Sequence, residues 1–132
     1  DPDKRSSWTL FPSINLLGAS WNDTLAYSYG LAIANEGLST SVDGWYSPSC
    51  NMHRSPFCGR VAEYPSEDPL LSGYITAYQA KGALANGMYV YVKHFAVNEN
   101  EKGRTGLYTW LTEQSLRERF SLITAEWTMG DN

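Results

Sequence analysis

Apolar and polar positions along the first third of the chain follow a helical and then an extended pattern. Apolar residues recur at helical spacing from Leu25 to about Glu36. Ser20 followed by Asp23 in "SWND" predicts a capping box at the start of this helix. The stretch "VDGWYSP", bounded by glycine and proline, is typical of a short buried strand that ends at residue 47. These patterns predict a helix followed by a strand.

A second unit of the same kind follows an irregular segment over residues 48–67. Its helix is predicted to open near Ser66, with Pro69 in the first turn and Gly87 just past the end. The stretch "MYVYVKHF" then predicts a second strand, and the strand, helix, strand order predicts a parallel pair. A last helix is predicted from Thr112, with apolar residues at Leu116, Phe120, Ile123 and Trp127. The fold class is therefore α/β, with parallel strands alternating with helices.

Length and composition predict one domain with a real core. The chain has 132 residues, of which 42% are hydrophobic and 14% are aromatic. Fourteen acids outnumber ten lysines and arginines, and the net charge of −4 argues against nucleic acid as a partner. No apolar run reaches the roughly 20 residues that cross a bilayer, and the start of the sequence does not resemble a signal peptide. We therefore expect no membrane partner.

The two cysteines, Cys50 and Cys58, lie eight positions apart in "CNMHRSPFC". A loop disulfide is one interpretation, but two free and partly buried thiols in a reducing, cytoplasmic compartment fit two isolated cysteines better. His53 and His94 together with these cysteines match no metal-binding spacing. The sequence therefore predicts neither a metal site nor a cofactor.

Polar residues gather in the two loops that follow the predicted strands. In parallel α/β folds the functional groups collect at the carboxyl ends of strands, because the loops there vary while the strands hold them. The loops supply hydrogen-bond donors and one acid: His53, Arg54, Arg60 and Glu63 in the first, and Lys93, His94 and Arg104 in the second. We expect these groups to converge on one rim that suits a ligand rich in hydroxyls or carrying negative charge.

Each of these residues also has a structural interpretation. A lysine at a strand end is most often solvated, and a histidine after a buried strand is often a satisfied core group. Arg60 could pair with Glu63, or with Glu67 or Asp68, as a tie within its loop. The pattern of residues alone leaves both interpretations open.

Three blocks of the sequence carry a resemblance to glycoside hydrolase family 3. "NMHRSPFCGRVAEYPSEDPLLSG" resembles the family segment N-I-H-R-x-P-x-x-G-R-x-x-E-x-x-S-E-D-P-x-L-x-G, and "VKHFAVNENEKGR" is similar to K-H-F/Y-x-x-N-x-x-E-x-x-R. "TLFPSINLLGASWND" resembles the earlier F-P-x-x-x-x-L-A-x-x-W-N block, and "YTWLTEQSLRERF" resembles the helix that follows. Order and spacing agree over about residues 8–120. The nearest members are bacterial β-glucosidases.

The resemblance implies a retaining, exo-acting β-glycosidase whose first domain is a (β/α)8-type barrel, without a cofactor and located in the bacterial cytoplasm. Carried over by position, Arg60, Lys93 and His94 bind hydroxyls of the terminal non-reducing sugar of a β-glucoside or related oligosaccharide. Glu63, Glu101 and Arg104 are expected to orient these sugar-binding side chains. The resemblance also implies that the backbone at Lys93 and His94 can hold a cis peptide.

The family's two catalytic carboxyl groups have no counterpart in this sequence. The nucleophilic aspartate belongs to an S-D-W-like motif farther along in the family, and residues 121–132 diverge from it. No catalytic residue is therefore assigned, and we expect the isolated chain, residues 1–132, to be an incomplete and inactive segment of the barrel. Open sheet edges predict pairing with the remainder of the barrel or a second chain. The alternatives are a non-catalytic sugar-binding module and an inactive remnant.

Overall fold

Two long helices lie against a short pair of parallel strands, and an irregular loop follows each strand. The computed structural model describes residues 8–94, 96–98 and 100–119. The elements are α1 (Ile14–Ala19), α2 (Asp23–Ser39), β1 (Gly44–Trp45), α3 (Pro69–Ala85), β2 (Tyr89–Val90) and α4 (Glu113–Arg119). Short 3-10 turns at Val61–Glu63 and Arg104–Gly106 lie within the two loops. The predicted alternation of helices with parallel strands is confirmed over this partial α/β unit.

The start of α2 differs from the predicted capping box. Ser20 belongs to the end of α1, a short helix that the sequence patterns did not predict, and its hydroxyl donates to the Leu17 carbonyl at 2.6 Å. Asn22 caps α2 instead, because its side-chain oxygen accepts a hydrogen bond from the Leu25 N–H at 2.9 Å. The predicted capping box at Ser20 was therefore wrong, because Ser20 ends α1 and Asn22 caps α2.

Helix α3 begins and ends close to the predicted positions. Asp68 is the N-cap and accepts from the Leu71 N–H at 2.7 Å, while Pro69 occupies the first turn, where it has no N–H to satisfy. Ser66 accepts from the Asp68 N–H at 3.0 Å and so supports the cap from outside the helix. Gly87 follows the helix with φ of +84°, which is the left-handed conformation expected of a glycine at that place.

The two strands are parallel, as predicted, but shorter. Gly44 lies opposite Tyr89 and Trp45 opposite Val90. The ladder ends at Trp45 and Val90, ahead of Pro48, whose carbonyl accepts from the Lys93 N–H at 3.1 Å. Beyond it the segments pair again where Ser49 faces Lys93, and the Cys50 N–H donates to the Lys93 carbonyl at 2.7 Å. Both loops therefore leave the strand pair side by side.

Helices α2 and α3 pack at close range through glycines. A Cβ on Gly30 would overlap the backbone carbonyl of Gln79, and a Cβ on Gly82 would overlap that of Tyr27. Small buried residues line the rest of this contact: Ala26, Ala34, Ala80 and Ala83. The two backbones therefore approach in a way that larger side chains would prevent.

One face of the strand pair packs against the helices. Trp45 and Val90 pack on the cluster formed by Ala34, Ala83 and Met88. The opposite face carries tyrosines that are largely exposed: Tyr46, Tyr89 and Tyr91. Because successive strand residues point to opposite sides, this tyrosine face is the uncovered side of the sheet.

The prediction of a last helix from Thr112 is confirmed over the residues that the structure describes. The Thr112 hydroxyl accepts from the Ser115 N–H at 3.1 Å at the start of α4. Phe120, Ile123, Trp127 and the tail at 121–132 lie outside the described residues. Cys50 and Cys58 are free thiols, and burial raises the pKa of Cys50 to about 11. None of the described helices is both long and apolar enough to cross a membrane.

Candidate functional site

The two loops meet beyond the ends of the strands through backbone contacts. Gly59 pairs with Asn100 in an antiparallel bridge, and the Glu101 N–H donates to the Cys58 carbonyl at 2.9 Å. Gly59 has φ of +82°, a left-handed conformation that glycine adopts without steric strain because it has no side chain. In the second loop the Lys93–His94 peptide bond is cis, as the resemblance allowed. This arrangement brings Arg60 next to Glu101, and Lys93 next to Glu63, which also pairs with Arg60.

Arg60 is the most buried charged group of the site, with 7% of its surface exposed. Its Nε donates to Glu63 Oε1 at 3.0 Å and its Nη2 donates to Glu63 Oε2 at 2.7 Å, so the pair is bidentate. Nε also lies 3.2 Å from Glu101 Oε1. The hydrogen bond from Arg60 lowers the pKa of Glu63, and the same bond raises the pKa of Arg60. Both groups are therefore held charged.

Arg60 also has N–H donors that its carboxylate partners do not use. Among the described residues, no acceptor contacts its Nη1. Glu67 and Asp68 do not pair with it within this part of the chain, so the alternative ties to those acids are not formed. Glu63 is the partner of Arg60, as one of the structural interpretations allowed. The pairing leaves the N–H donors of Arg60 Nη1 unused among the described residues.

Lys93 lies above a tyrosine ring and close to the same carboxylate. Its Nζ is 3.9 Å from Glu63 Oε2 and 5.1 Å from the centroid of the Tyr46 ring. The side chain is 23% exposed, and no described residue accepts a hydrogen bond from Nζ. The ammonium group is therefore positioned by charge and by the ring while its N–H donors remain available.

Glu101 joins the buried arginine to an exposed one. Arg104 Nη1 lies 3.1 Å and 3.2 Å from the two carboxylate oxygens of Glu101. Arg104 is the more exposed partner, with 60% of its side chain accessible. Glu63 and Glu101 thus contact the cations of the two loops directly.

His94 is held by two buried residues that the sequence analysis did not assign. Its backbone N–H donates to Asn51 Oδ1 at 2.9 Å, and its Nδ1 lies 3.2 Å from the same oxygen. The Tyr64 hydroxyl is 3.4 Å from Nδ1. Burial, followed by the charges of Arg60 and Lys93, lowers the pKa of His94. The imidazole therefore favours its neutral form.

Asn51 and Tyr64 lie within the quoted "NMHR" and "AEYP" segments, and both are almost completely buried, at 1% and 0% exposure. The only signal for Asn51 was its place at the head of the block that resembles the family, in the loop that follows the first strand. Nothing in the residue pattern distinguished Tyr64 from an ordinary core tyrosine.

Two of the predicted rim residues lie elsewhere. The ring Nε2 of His53 is 2.7 Å from the Tyr64 carbonyl, and its backbone N–H donates to the Ser66 carbonyl at 3.0 Å. Arg54 lines a separate cleft with Glu67 and Arg119. The prediction that His53 and Arg54 join the rim was wrong, because the loop turns between residues 54 and 60.

Opposite charges compensate most of the charge of the site, with three cations against two carboxylates among the described residues. The cations Arg60, Lys93 and Arg104 face the carboxylates of Glu63 and Glu101. Because each cation already has a carboxylate beside it, an additional anion would gain little. Neutral hydroxyls can use the donors that remain on Arg60 and Lys93. Among the described residues, no three histidines, cysteines or acids are arranged to hold a metal ion.

A model of the glycosyl hydrolase family 3 N terminal domain matches residues 3–123. Beta-glucosidase A of Butyrivibrio fibrisolvens is 37% identical over 126 residues, which is 92% of this chain and 15% of that protein. Thermostable beta-glucosidase B of Acetivibrio thermocellus is 40% identical over 110 residues, which is 83% of this chain and 15% of that protein. The chain spans about 15% of the length of these relatives.

Solved structures give the same result. Beta-glucosidase 3B from Thermotoga neapolitana, in complex with glucose, superposes with a TM-score of 0.87 at 36% identity, over 91% of this chain and 17% of that one. DesR, a beta-glucosidase from Streptomyces venezuelae in complex with D-glucose, gives 0.86 at 34% identity, over 89% of this chain and 15% of that one. The likeness is therefore close over nearly the whole chain.

Proposed function

Because the chain belongs to the glycosyl hydrolase family 3 N-terminal domain family, we propose that it is the sugar-binding part of a retaining, exo-acting β-glycosidase. Its ligand is the terminal non-reducing sugar of a β-glucoside or related oligosaccharide. Arg60, Lys93 and His94 bind hydroxyls of that sugar, and we call these three residues the sugar clamp. The relatives and the structures named above are β-glucosidases, which supports this ligand class.

The observation that carries the proposal is the combination of charge neutralisation and unused donors at the clamp. Arg60 is fixed by Glu63 and Glu101, while Lys93 Nζ has no hydrogen-bond acceptor within the described residues. Fixed donors in a site whose charges are mostly compensated suit hydroxyl oxygens better than anions. Hydrogen bonds that tighten as the sugar ring flattens lower the barrier of glycoside cleavage, so binding of this kind contributes to catalysis.

The strand pair is, in this proposal, part of a (β/α)8-type barrel that further strands complete. The tyrosine face supports this, since Tyr46 is 72% exposed and Tyr89 is 67% exposed on a sheet whose other face is covered. A barrel of this type takes roughly 250 residues, well above the length of this chain. The remainder comes from the same protein or from another chain.

Catalytic carboxyl groups enter from that remainder. A retaining glycosidase uses two carboxyl groups about 5–5.5 Å apart, one as nucleophile and one as acid and base. At the clamp, Glu63 and Glu101 are both ion-paired with Arg60. An acid with a lowered pKa, such as Glu63, is a poor proton donor at neutral pH. The 132-residue chain by itself therefore binds sugar without cleaving it.

Glucose titration into the 132-residue chain tests the clamp. We expect a saturable signal by calorimetry or NMR, weakened roughly tenfold by Lys93→Ala, since one charge-assisted hydrogen bond contributes on the order of 1.5 kcal/mol. Lys81→Ala is the matched control, because the Lys81 ammonium also lies 5.1 Å from a tyrosine centroid, on helix α3. Absence of a saturable signal, or equal weakening by both variants, would contradict the clamp.

A chimera separates the enzyme part from a non-catalytic binding module, which the ion-paired carboxylates also allow. Residues 8–119 would replace the equivalent segment of Thermotoga neapolitana beta-glucosidase 3B, to which the chain is 36% identical. We expect the chimera to hydrolyse an aryl β-glucoside and to lose most of that rate on Lys93→Ala. A folded chimera that binds glucose without turnover would favour the binding module.

A further inference from the structure

We infer that Asn51 and Tyr64 hold the His94 imidazole with its proton on Nδ1, so that Nε2 accepts a hydrogen bond from a ligand hydroxyl. The ligand part of this inference rests on the proposed sugar clamp, whereas the position of the proton does not. The inference makes His94 the hydrogen-bond acceptor of the clamp, since Arg60 and Lys93 can only donate.

The orientation of the Asn51 amide follows from its contact with the backbone. The His94 N–H can only donate, so the Asn51 atom 2.9 Å away must be the oxygen. A flipped amide would place two donors against each other. The buried Nδ2 of Asn51 has no partner among the described residues, and this does not favour the flip, which would leave the backbone N–H unpaired.

The position of the proton on His94 then follows from its neighbours. Asn51 Oδ1 lies 3.2 Å from Nδ1 and can only accept, so Nδ1 must carry hydrogen. The Tyr64 hydroxyl, 3.4 Å from Nδ1, already donates to the Asn98 carbonyl at 2.6 Å. Its oxygen therefore also faces Nδ1 as an acceptor. Both neighbours select the same tautomer.

The other ring nitrogen remains available to a ligand. No described residue hydrogen-bonds to His94 Nε2. Among the described residues, four charged groups act on the ring: Arg60, Lys93, Glu63 and Arg104. Burial and the three cations among them lower its pKa, while Glu63 acts in the opposite direction. At neutral pH the ring is therefore uncharged, and Nε2 presents a lone pair.

One acceptor among several donors defines the ligand class more narrowly than the clamp alone. A hydroxyl group can donate to His94 Nε2 and accept from Lys93 or Arg60, whereas an ionised carboxylate or phosphate has no proton to donate. The clamp therefore selects a neutral polyol over an anion, and Asn51 and Tyr64 act as positioning residues for that choice.

Imidazole nitrogen NMR on the 15N-labelled 132-residue chain tests the proton position without any ligand. The chain has two histidines, and they serve as controls for each other. His53 Nε2 lies 2.7 Å from the Tyr64 carbonyl, which can only accept, so His53 should carry its proton on Nε2. We expect opposite tautomers for His53 and His94. A proton on Nε2 of His94 would overturn the inference.

Variants check that the two neighbours are responsible. Asn51→Ala should shift the His94 nitrogens towards a mixture of tautomers and leave the His53 signals unchanged. If Asn51→Ala does not fold, Tyr64→Phe keeps the ring and removes only the hydroxyl acceptor, and it should produce a smaller shift in the same direction. Unchanged His94 nitrogens in the folded variant would contradict the positioning role.

Fluorinated sugars test the acceptor role at the clamp. Fluorine cannot donate a hydrogen bond, so one monofluoro analogue of glucose should bind roughly tenfold weaker than glucose, and His94→Ala should remove that difference. Affinity for glucose should also fall as acid protonates Nε2, below the ordinary His pKa of 6.5. If glucose does not bind at all, the sugar clamp fails, and the NMR experiment still decides the tautomer. If every analogue binds as glucose does, the acceptor role fails.

Discussion

The contact between α2 and α3 and the rim that carries the sugar clamp stabilise the molecule by opposite means. The helix contact is built from glycine and alanine, with backbone against backbone. The rim is built from paired charges and from directional hydrogen bonds to Asn51 and Tyr64. Close packing tolerates no added volume, whereas a charged rim tolerates shape changes but not the loss of a partner. Substitutions in the helix contact should therefore affect folding alone, whereas substitutions at the rim should also affect binding.

Gly30→Ala should have the largest effect on stability. The new methyl group would overlap the Gln79 carbonyl, and neither backbone can move without displacing its helix. We expect a loss of about 3 kcal/mol in the free energy of unfolding, measured by urea denaturation. Gly106→Ala is the control, because nothing lies within 4 Å of a Cβ at that position. Equal midpoints for the two variants would show that the helix contact has room.

Arg60→Lys should mainly affect the rim. Lysine cannot form the bidentate contact with Glu63 and also reach Glu101, so we expect a loss of about 2 kcal/mol in stability and the disappearance of glucose binding. Arg117→Lys is matched to it, since Arg117 pairs with Glu113 on an exposed helix face. That control should change stability by less than about 0.5 kcal/mol. Binding that survives Arg60→Lys would remove Arg60 from the clamp.

Gly59→Ala sharpens the comparison, because it combines backbone strain with a place at the rim. An alanine at φ of +82° costs about 1 kcal/mol, and its Cβ would lie 3.3 Å from the Glu101 Cβ. Gly103→Ala imposes similar strain at φ of +71° with no neighbour within 4 Å. We expect both variants to lose stability, and only Gly59→Ala to weaken glucose binding as well. A similar loss of binding in both would show that strain alone disturbs the site.

The smallest expected effect is a dependence of stability on pH. Because Arg60 lowers the pKa of Glu63 below its ordinary value of 4.5, the ionised carboxylate stabilises the folded state above that pH. This contribution is lost as the pH falls through the lowered pKa. Glu63→Gln should therefore flatten the decline of the urea midpoint with acid. In the Arg60→Lys background the same substitution should change that decline less, and an equal change would separate Glu63 from Arg60.

Local patterns were sufficient for the long helices. Asp68, Pro69 and Gly87 carry their conformational preferences within a few residues, so the bounds of α3 could be predicted closely. The start of α2 could not be predicted in this way, because a serine such as Ser20 can either cap the start of a helix or end one. The presence of α1 places Ser20 at the end of a helix. The strands were predicted too long, because a pattern of apolar residues shows which stretch is extended but not which of its backbone groups find a hydrogen-bond partner on the neighbouring strand.

The clamp was predictable from sequence only through the family resemblance. Arg60, Lys93 and His94 lie in blocks whose spacing matches the family, and their sugar-binding role remains a proposal. The pattern alone also placed His53 and Arg54 on the rim, whereas the structure places both residues elsewhere. Residue type and loop membership do not determine the direction in which a loop turns.

The amino-acid sequence by itself determined the family, the two long helices and the parallel order of the strands, because these depend on local preferences and on spacing along the chain. Only the tertiary structure decided which carboxylates hold Arg60 and which residues surround the imidazole of His94. Those contacts join residues such as Asn51 and His94 that lie 43 positions apart. Hydrogen bonds depend on distance and direction in space, and the order of residues along the chain specifies neither.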